Sequence, residues 1–320
     1  MIDEELARRA GLISMAIEDL LPIVHPTGLY QASRHLVDAG GKRLRPSMLL
    51  IAAEATGGEA AAMVPAAVSI ELIHNFTLIH DDIMDNADIR RGRQSVHKIW
   101  GESGAILAGD TLYSKAFQIL GMTPGQPGLI LESMNILSKT CTAICEGQWL
   151  DLEFENRSSV SENEYMEMIE KKTGVLYGAS ACMGATLSGA SDKEVKGLDE
   201  FGRLTGMGFQ IHDDVLDLTA PQKVLGKRRG GDLVEGKKTL IMIHALEHGV
   251  EVGVFGKKEA ARQEIEGALS VLEKSGSIDY ARSRAANLVN RGKQALDPLS
   301  DSPAKRLLLE LADYMIRRGY

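Results

Sequence analysis

Residues 62–85 read AMVPAAVSIELIHNFTLIHDDIMD, and this stretch is the strongest structural signal in the chain. Apolar side chains recur in it at spacings of three and four residues, which is the period of an α-helix. They occupy more than one face of that helix, so the helix needs protein around it rather than water. The stretch therefore predicts the central helix of a helical bundle, with an aspartate-rich C-terminal end.

Helical periodicity continues along most of the chain, in runs separated by short breaks. These runs cover residues 2–22, 104–120, 128–155, 162–187, 194–218, 237–248, 257–274, 278–291 and 303–317. We find no alternating β pattern flanked by hairpin turns, apart from short ambiguous pieces such as Val250–Phe255. Because the breaks are short and no low-complexity linker occurs, the sequence predicts an all-α protein with a single domain over residues 1–320.

The composition is that of a globular chain with a large core. Of its 320 residues, 44% are hydrophobic and 25% are charged, which excludes wholesale disorder and a disulfide-stapled miniprotein. The formal net charge of −8 argues against nucleic acid as a partner. Three cysteines, and an acidic N-terminus without an apolar signal segment, predict a cytoplasmic protein. No run approaches eighteen uncharged apolar residues, so we expect no transmembrane segment.

The pattern His-Asp-Asp-x-x-Asp occurs twice, at residues 80–85 and 212–217, each time at the C-terminal end of an apolar helical run. Asp81 and Asp85 project from one helix face, where like charges repel and the helix dipole opposes them. A bound cation offsets that cost. Since carboxylates are hard ligands and no His or Cys lies at metal-ligand spacing, the pattern favours Mg²⁺, with Mn²⁺ as a substitute. A solvated acidic helix end would explain one motif, but two copies favour a metal site.

Short basic clusters accompany the aspartates in a chain whose net charge is negative. They lie at residues 42–45, 90–91, 171–172, 227–229 and 237–238. A single basic cluster is usually a solvated face, but cations beside magnesium-binding carboxylates suit a diphosphate. The sequence contains no G-x-x-x-x-G-K-[ST], G-x-S-x-G, H-E-x-x-H or C-x-x-C motif. We therefore expect ionisation of a diphosphate ester whose organic part is apolar, without a protein nucleophile.

These features together resemble the trans-isoprenyl diphosphate synthase (polyprenyl synthetase) family over about residues 5–318. The matching elements are Gly41–Pro46, Asp81–Asp85, Arg90-Arg91-Gly92, Gly109-Asp110, Gln148–Asp151, Lys172-Thr173, Gly208–Asp217, Gly226-Lys227, Gly230, Asp232 and Gly236–Thr239. Each element alone is weak evidence for the family, but the order and spacing of all of them together are specific to it. One mild departure is Ile241, where the family often has proline. The resemblance implies an isoprenoid-synthase bundle around a central apolar cavity, most like short-chain geranylgeranyl or farnesyl diphosphate synthases of the archaeal kind.

The resemblance also implies a role for each matching residue. Three aspartates would hold Mg²⁺ on the allylic diphosphate: Asp81, Asp85 and Asp213. Three others would support them: Asp82, Asp214 and Asp217. The cations on the allylic diphosphate would be Arg90, Lys172, Lys227 and Lys237. The diphosphate of isopentenyl diphosphate would be held by Lys42, Arg45, His74 and Arg91. Thr173 and Gln210 would present oxygens to the developing allylic cation.

Product length is expected to depend on the helix that leads to Asp81. Phe76 lies five residues earlier, about 7.5 Å along the axis, and is the first large side chain able to form the floor of the cavity. Thr77 is small, and a large residue followed by a small one resembles geranylgeranyl synthases of the archaeal kind. The resemblance thus favours a C20 product from C5 to C15 allylic substrates, with a C15 or mixed C15/C20 product as the alternative. Plain core packing is the competing interpretation of Phe76.

Two other classes of protein compete with this interpretation. Class I terpene cyclases carry a different second motif and lack the Lys42 and Arg45 site, and non-catalytic synthase subunits typically lose one aspartate motif. Both Asp-Asp-x-x-Asp motifs are intact here, which argues against each class. The resemblance further implies a homodimer packed through central helices, for which Ala105–Ile119 and Met134–Leu150 are the candidate segments.

Overall fold

A computed structural model describes residues 2–220 and 229–317 and confirms the all-α prediction. Within these residues the α-helices are, in chain order, α1 (Ile2–Leu20), α2 (Thr27–Val37), α3 (Leu44–Ala55), α4 (Val64–Met84), α5 (Val96–Leu120), α6 (Pro127–Glu155), α7 (Glu162–Ile169), α8 (Val175–Leu187), α9 (Asp192–Thr219), α10 (Gly231–Glu235), α11 (Leu240–Glu247), α12 (Arg262–Lys274), α13 (Ser277–Gln294) and α14 (Pro303–Arg317).

Local sequence explains where several helices begin. Ser161 caps α7 in a capping box, because its N–H donates to Oε2 of Glu164 (2.9 Å) while its hydroxyl accepts from the N–H of Glu164. Ser191 and Glu194 form the same pair at the start of α9, with 2.9 Å from the N–H of Ser191 to Oε2 of Glu194. These contacts satisfy N–H groups that the first helical turn leaves unpaired.

Helix α4 is the core helix that residues 62–85 predict. A 3₁₀ turn, Ala60–Met63, leads into it, and nearly all of its residues from Ala66 to Ile73 are fully buried. The combined segment Ala60–Met84 is long and apolar enough to cross a membrane, with a mean hydropathy of 1.5, but 67% of that window is buried inside the protein. Such burial is what the core helix of a bundle shows. The expectation that no segment spans a membrane stays a prediction.

The chain divides into two compact units, each assembled from three segments. The first unit consists of Met1–Cys141, Ala179–Asp199 and Leu296–Glu310, and the second of Thr142–Gly178, Glu200–Ala295 and Leu311–Tyr320. In the first unit, α4 packs against α1, α3 and α5. In the second, α11 packs against α7 and α13, and apolar side chains of these helices form a continuous core. A single domain over residues 1–320 stays a prediction.

Three helices lie where the periodicity indicated none, namely α2, α3 and the five-residue α10. Helix α3 is buried on almost every side, from Pro46 to Ala53, so it lacks the polar stripe that marks an amphipathic helix. Helix α5 also begins earlier than predicted, at Val96, and it is kinked at Gly101, where φ is 74°. Helix α3 therefore shows that a helix buried on almost every side gives no amphipathic signal in the sequence.

Two further local features were not predicted. A π-helical turn, Glu170–Gly174, interrupts the predicted run 162–187 between α7 and α8. An antiparallel ribbon pairs β1 (Ile89–Arg90) with β2 (Arg93–Gln94), and Arg91 and Gly92 form its two-residue turn with φ values of 50° and 73°. The finding of no hairpin in the sequence was therefore wrong at this point, because strands of two residues are too short to show alternation.

Candidate active site

The first aspartate motif ends helix α4, and its three carboxylates face different surroundings. The side chain of Asp81 is 18% exposed, Asp85 is exposed, and Asp82 is only 1% exposed. Arg90 of β1 donates from Nε to Oδ1 of Asp82 (2.7 Å) and lies 3.4 Å from Oδ2 of Asp81. Burial raises the pKa of Asp82, against the opposing effect of the Arg90 charge. The motif thus presents two carboxylates to solvent and anchors the third.

The second motif lies in the last two turns of α9 and shows a similar division. Asp213 is half-buried, whereas Asp214 and Asp217 are buried. Asp217 holds the start of α10, because its Oδ2 accepts from the N–H of Asp232 (3.2 Å) and its carbonyl oxygen accepts from the N–H of Gly230 (2.9 Å). In both motifs the first aspartate faces solvent more than the second does.

Asp214 is the centre of a buried hydrogen-bond chain. Tyr165 donates its hydroxyl to Oδ2 of Asp214 (2.6 Å), and Gln210 donates from Nε2 to Oδ1 (3.0 Å). Oε1 of Gln210 in turn accepts from the hydroxyl of Thr173 (2.9 Å), which brings the two predicted oxygen-presenting residues into contact. Burial, reinforced by the nearby charge of Asp232, raises the pKa of Asp214 to about 7.

The π turn positions Lys172 and Thr173, and a glycine of α6 makes this arrangement possible. A Cβ on Gly147 would lie 2.3 Å from the backbone nitrogen of Lys172, so no other residue fits there without displacing the turn. The close approach places Asp151, one turn further along α6, where its Oδ2 accepts from Nζ of Lys172 (2.6 Å). A π turn inserted into a helix is frequent at functional sites, since it re-aims the side chains it carries.

These side chains of the second unit line a cavity of about 100 Å³. The predicted site residues on its wall are Lys172, Thr173, Gln210, Asp214 and Lys237. The cavity wall also includes Met168 and Ile169, which make part of it apolar. Nζ of Lys237 lies 3.9 Å from Oδ1 of Asp232. The structure therefore brings five predicted residues to one cavity, whereas Lys227 lies outside the described residues.

The four residues predicted to bind isopentenyl diphosphate all belong to the first unit. Nη1 of Arg45 lies 3.3 Å from Nε2 of His74, and Nη1 of Arg91 donates to the carbonyl oxygen of Gly40 (2.6 Å), two residues before the exposed Lys42. Burial, together with the charges of Arg45 and Arg91, lowers the pKa of His74 well below its ordinary value. His74 is therefore neutral at pH 7 and acts as a hydrogen-bond acceptor for Arg45.

Phe76, predicted to limit product length, is half-buried and belongs to an aromatic cluster. Its ring packs edge-on against Tyr113 of α5 (5.4 Å between centroids), and Tyr113 packs in turn against Phe117 (5.2 Å). Thr77 donates its hydroxyl to the carbonyl oxygen of His74 (2.8 Å). Sequence reasoning missed Tyr113, although the pair of aromatic residues four positions apart on α5 was a usable signal.

Tyr165, Asp151 and Gly147 were also missed as site residues. Asp151 ends the motif Gln148–Asp151 and Gly147 immediately precedes it, so that motif was the available signal. Tyr165 lies seven residues, or two helical turns, before Lys172. That spacing alone does not distinguish a site residue from a core tyrosine, because only the fold places its hydroxyl on Asp214.

The residues of both motifs fit magnesium, although no three His, Cys, Asp or Glu side chains of the described residues form a group arranged to hold a metal. Mg²⁺ is usually bound through one or two carboxylates and completes its shell with water and substrate phosphate, so a group of three is not required. Among the described residues, the buried Oδ2 of Asp82 has no hydrogen-bond partner. The aspartates of both motifs offer only carboxylate oxygens, which are hard ligand atoms and suit this ion.

The raised pKa of Asp214 leads to a prediction about stability. A raised pKa contributes stability that is present below the unfolded value, near 4, and is lost as the pH rises towards 7. We therefore expect Asp214→Asn to raise the Tm at pH 8 by about 5 °C and to have little effect at pH 4.5. Thermal unfolding in EDTA measures both values, with the exposed Asp297→Asn as the control. An equal Tm change at the two pH values would contradict the raised pKa.

A helical fold that carries two Asp-Asp-x-x-Asp motifs, with cations beside each, defines the class of isoprenoid diphosphate synthases. The family model described as "Polyprenyl synthetase" matches residues 26–272. The chain therefore belongs to the polyprenyl synthetase family, a family of prenyltransferases, and this confirms the resemblance drawn from its motifs.

Its relatives include proteins with named products. The chain is 58% identical over 317 residues, 99% of its length and 98% of the relative's, to the geranylgeranyl diphosphate synthase of Methanosarcina mazei. It is 47% identical, over 100% of its length and 98% of the relative's, to the geranylfarnesyl diphosphate synthase of Natronomonas pharaonis. Among solved structures, geranylgeranyl pyrophosphate synthetase from the archaeon Geoglobus acetivorans superposes with a TM-score of 0.94 at 47% identity, covering 98% of this chain and 99% of that one.

Proposed function

We propose that the chain condenses isopentenyl diphosphate head to tail with allylic diphosphates of C5 to C15, in a magnesium-dependent reaction that releases diphosphate and makes all-trans geranylgeranyl diphosphate. The observation that carries this proposal is the 58% identity, over 99% of the chain, to a protein named geranylgeranyl diphosphate synthase. The intact aspartate motifs support it, because an enzyme that ionises a diphosphate ester needs divalent cations facing that group.

The burial of the aspartates supports the division of roles that the resemblance implies. Asp81, Asp85 and Asp213 are the more exposed members of their motifs, and we assign magnesium binding to them. Asp82 is held by Arg90, Asp214 by Tyr165 and Gln210, and Asp217 by the start of α10. The buried carboxylates thus orient the helix ends that carry the exposed ones. When bound, Mg²⁺ neutralises charge on the leaving diphosphate.

The described residues also support a sequence of chemical events. Lys172 and Lys237 place positive charge on the wall of the second unit's cavity, where it stabilises a departing diphosphate. The hydroxyl of Thr173 and the amide oxygen of Gln210, which contact each other, present partial negative charge to the allylic cation. The double bond of isopentenyl diphosphate then attacks that cation. A proton is lost, and we assign it to the released diphosphate.

Product analysis is the experiment that tests the function. The purified chain is incubated with isopentenyl diphosphate and each of three allylic starters, of C5, C10 and C15, and the dephosphorylated products are separated by chromatography. We expect geranylgeraniol from all three starters and no cyclic hydrocarbon. Failure to release diphosphate would contradict the prenyltransferase assignment, and a cyclic product would favour a terpene cyclase.

A longer product is the second candidate that an observation favours. The relative from Natronomonas pharaonis, 47% identical over the whole chain, is named for geranylfarnesyl diphosphate, which is one isoprene unit longer. The C15 starter distinguishes the candidates, because a C25 synthase would carry it past geranylgeranyl diphosphate. A C15 or mixed C15/C20 product would appear as farnesol with the C5 and C10 starters.

The two diphosphate sites should respond separately to mutation. We expect Lys42→Ala or Arg45→Ala to raise the KM for isopentenyl diphosphate about tenfold or more, since each removes a cation from the phosphate. Lys172→Ala should instead raise the KM for the allylic substrate and lower kcat. Steady-state kinetics, with each substrate varied in turn, measure the two KM values in every variant. An equal response of both KM values in every variant would contradict this prediction.

We also propose that the protein is a cytoplasmic homodimer. Exposed apolar side chains lie on both candidate segments, since Ile106 and Leu107 are 45% and 58% exposed and Trp149 is 71% exposed. Apolar side chains of this size favour burial against another surface. Light scattering on the purified chain tests the proposal, with twice the chain mass of 34.7 kDa expected. A monomer mass at micromolar concentration would contradict it.

A further inference from the structure

Glu71 is a charged residue in the middle of α4, a long and largely buried apolar helix. It lies between Ile70 and Leu72, and only 1% of it is exposed. Among residues 64–79 it is the only Asp, Glu, Lys or Arg. Burying an ionised carboxylate is costly unless it is paired and hydrogen-bonded. Glu71 must therefore have partners that offset the cost of its burial.

Arg43 is the ionic partner of Glu71, and its backbone is unusual. Its Nη1 donates to Oε1 of Glu71, and its Nη2 donates to the carbonyl oxygen of Val37 (2.6 Å). Arg43 has a left-handed φ of 47°, which a residue with a side chain adopts only at a cost. The result is that Arg43 points into the protein, whereas its neighbour Lys42 is exposed.

Asn75, one turn after Glu71, extends the contact to the other end of the same loop. Its Nδ2 donates to Oε1 of Glu71 (2.7 Å), and its Oδ1 accepts from Nη1 of Arg91 (3.3 Å). That same Nη1 donates to the carbonyl oxygen of Gly40 (2.6 Å). A single buried carboxylate is therefore connected to residue 43 directly and to residue 40 through two side chains. Residues 40–45, which comprise the loop before α3 and the first two residues of that helix, are called the cation loop below because they include Lys42 and Arg45.

We propose that Glu71 is a positioning residue for the isopentenyl diphosphate site, and that its buried pair with Arg43 sets the shape of the cation loop. The inference deepens the proposed function and rests on it. Glu71 does not contact the substrate; it acts through Arg43, whose inward side chain leaves Lys42 and Arg45 on either side to receive the diphosphate. Replacing a buried ion pair with apolar residues is often neutral for stability, so fold stability alone does not account for this pair.

The test replaces the pair without changing net charge, in the double variant Arg43→Met/Glu71→Leu. We expect the KM for isopentenyl diphosphate to rise at least tenfold, while kcat and the allylic KM stay within about twofold of the wild type. Calorimetric titration with isopentenyl diphosphate in EDTA, without turnover, should show the same loss of affinity. The Tm should change by only a few degrees, since the substituted side chains fill similar volumes.

A matched control removes a different ion pair of the first unit. Arg9 of α1, 3% exposed, pairs with Glu5 of the same helix and with Glu54 of α3, which lies nine residues, about 13 Å along the helix axis, beyond Arg45. Arg9→Met/Glu54→Leu should leave the KM for isopentenyl diphosphate unchanged. If this control raised the KM as much as the double variant does, the effect would be one of general stability and the positioning role would be overturned.

A second variant covers the case in which the double variant does not fold. Glu71→Gln keeps the shape of the side chain and its contact with Asn75 but removes the charge that holds Arg43, so its affinity for isopentenyl diphosphate should also fall several-fold. A folded Glu71→Gln or double variant with wild-type affinity overturns the positioning role. A wild-type chain that forms no prenyl diphosphate would instead overturn the proposed function, which the product analysis detects independently.

Discussion

Alanine in place of Asp81 or Asp213 is expected to lower kcat by roughly 10²–10³-fold or more, with the fold intact. Each substitution removes one of the more exposed carboxylates of its motif, and with it a magnesium ligand that we propose for the leaving diphosphate. The rate of diphosphate release measures the loss. EDTA should abolish turnover of the wild type, and added Mg²⁺ should restore it. The magnesium concentration for half-maximal rate should rise in any variant that retains activity.

The control is Asp301→Ala, since Asp301 is an exposed aspartate outside both motifs. It should keep wild-type kcat and the wild-type requirement for magnesium. Circular dichroism and thermal unfolding should show the same helical content in all three variants, because neither Asp81 nor Asp213 belongs to the buried core. Near-normal activity of both motif variants would contradict the assignment of the metal site.

Phe76→Ala is expected to change the product itself, from C20 to C25 and longer. Removing the ring opens space on the face of α4 that leads away from Asp81, and one isoprene unit needs about one helical turn of extra length. Thr77→Phe should have the opposite effect and shorten the product towards C15, because it adds bulk nearer to the aspartates. Mass spectrometry of the dephosphorylated products measures both shifts, the lengthening with the C15 starter and the shortening with the C5 and C10 starters.

The aromatic cluster supplies the controls for this experiment. Tyr113 packs directly on Phe76, so Phe76→Ala/Tyr113→Ala should lengthen the product further than Phe76→Ala alone. Phe117 contacts Tyr113, and Phe117→Ala alone should leave the C20 product unchanged because the variant keeps the rings of Phe76 and Tyr113, which we expect to end chain growth. An unchanged product spectrum in Phe76→Ala would show that another residue ends chain elongation.

Sequence analysis predicted the parts of the fold that depend on local pattern. The core helix 62–85, most of the later helical runs and the position of each aspartate motif at a helix end follow from the period of apolar residues and were confirmed. It failed at α2, α3 and the short α10, and at α3 the reason is that the helix is buried on almost every side and shows no polar stripe. It also failed at the ribbon Ile89–Gln94, whose strands are too short to alternate.

The candidate site shows the same limit at the level of single residues. The six aspartates, Lys172, Thr173 and Gln210 were named from their motifs, and the structure places Thr173 against Gln210. The support around them was not predicted. The contact of Tyr165 with Asp214 and the passage of Gly147 against the π turn join residues 49 and 25 positions apart in the chain. No pattern among neighbouring residues in the sequence predicts contacts between residues so far apart.

The sequence by itself determined the helical class, the family and the type of ligand that the motifs carry, because helical period and ligand type are properties of neighbouring residues. Only the tertiary structure decided which aspartate of each motif is buried, which way Arg43 points, and how closely α6 approaches the turn that carries Lys172. Those outcomes depend on helices packed together from distant parts of the chain. Dense packing requires each buried charge to be paired, and at a close approach such as that of Gly147 it leaves room for only one size of side chain.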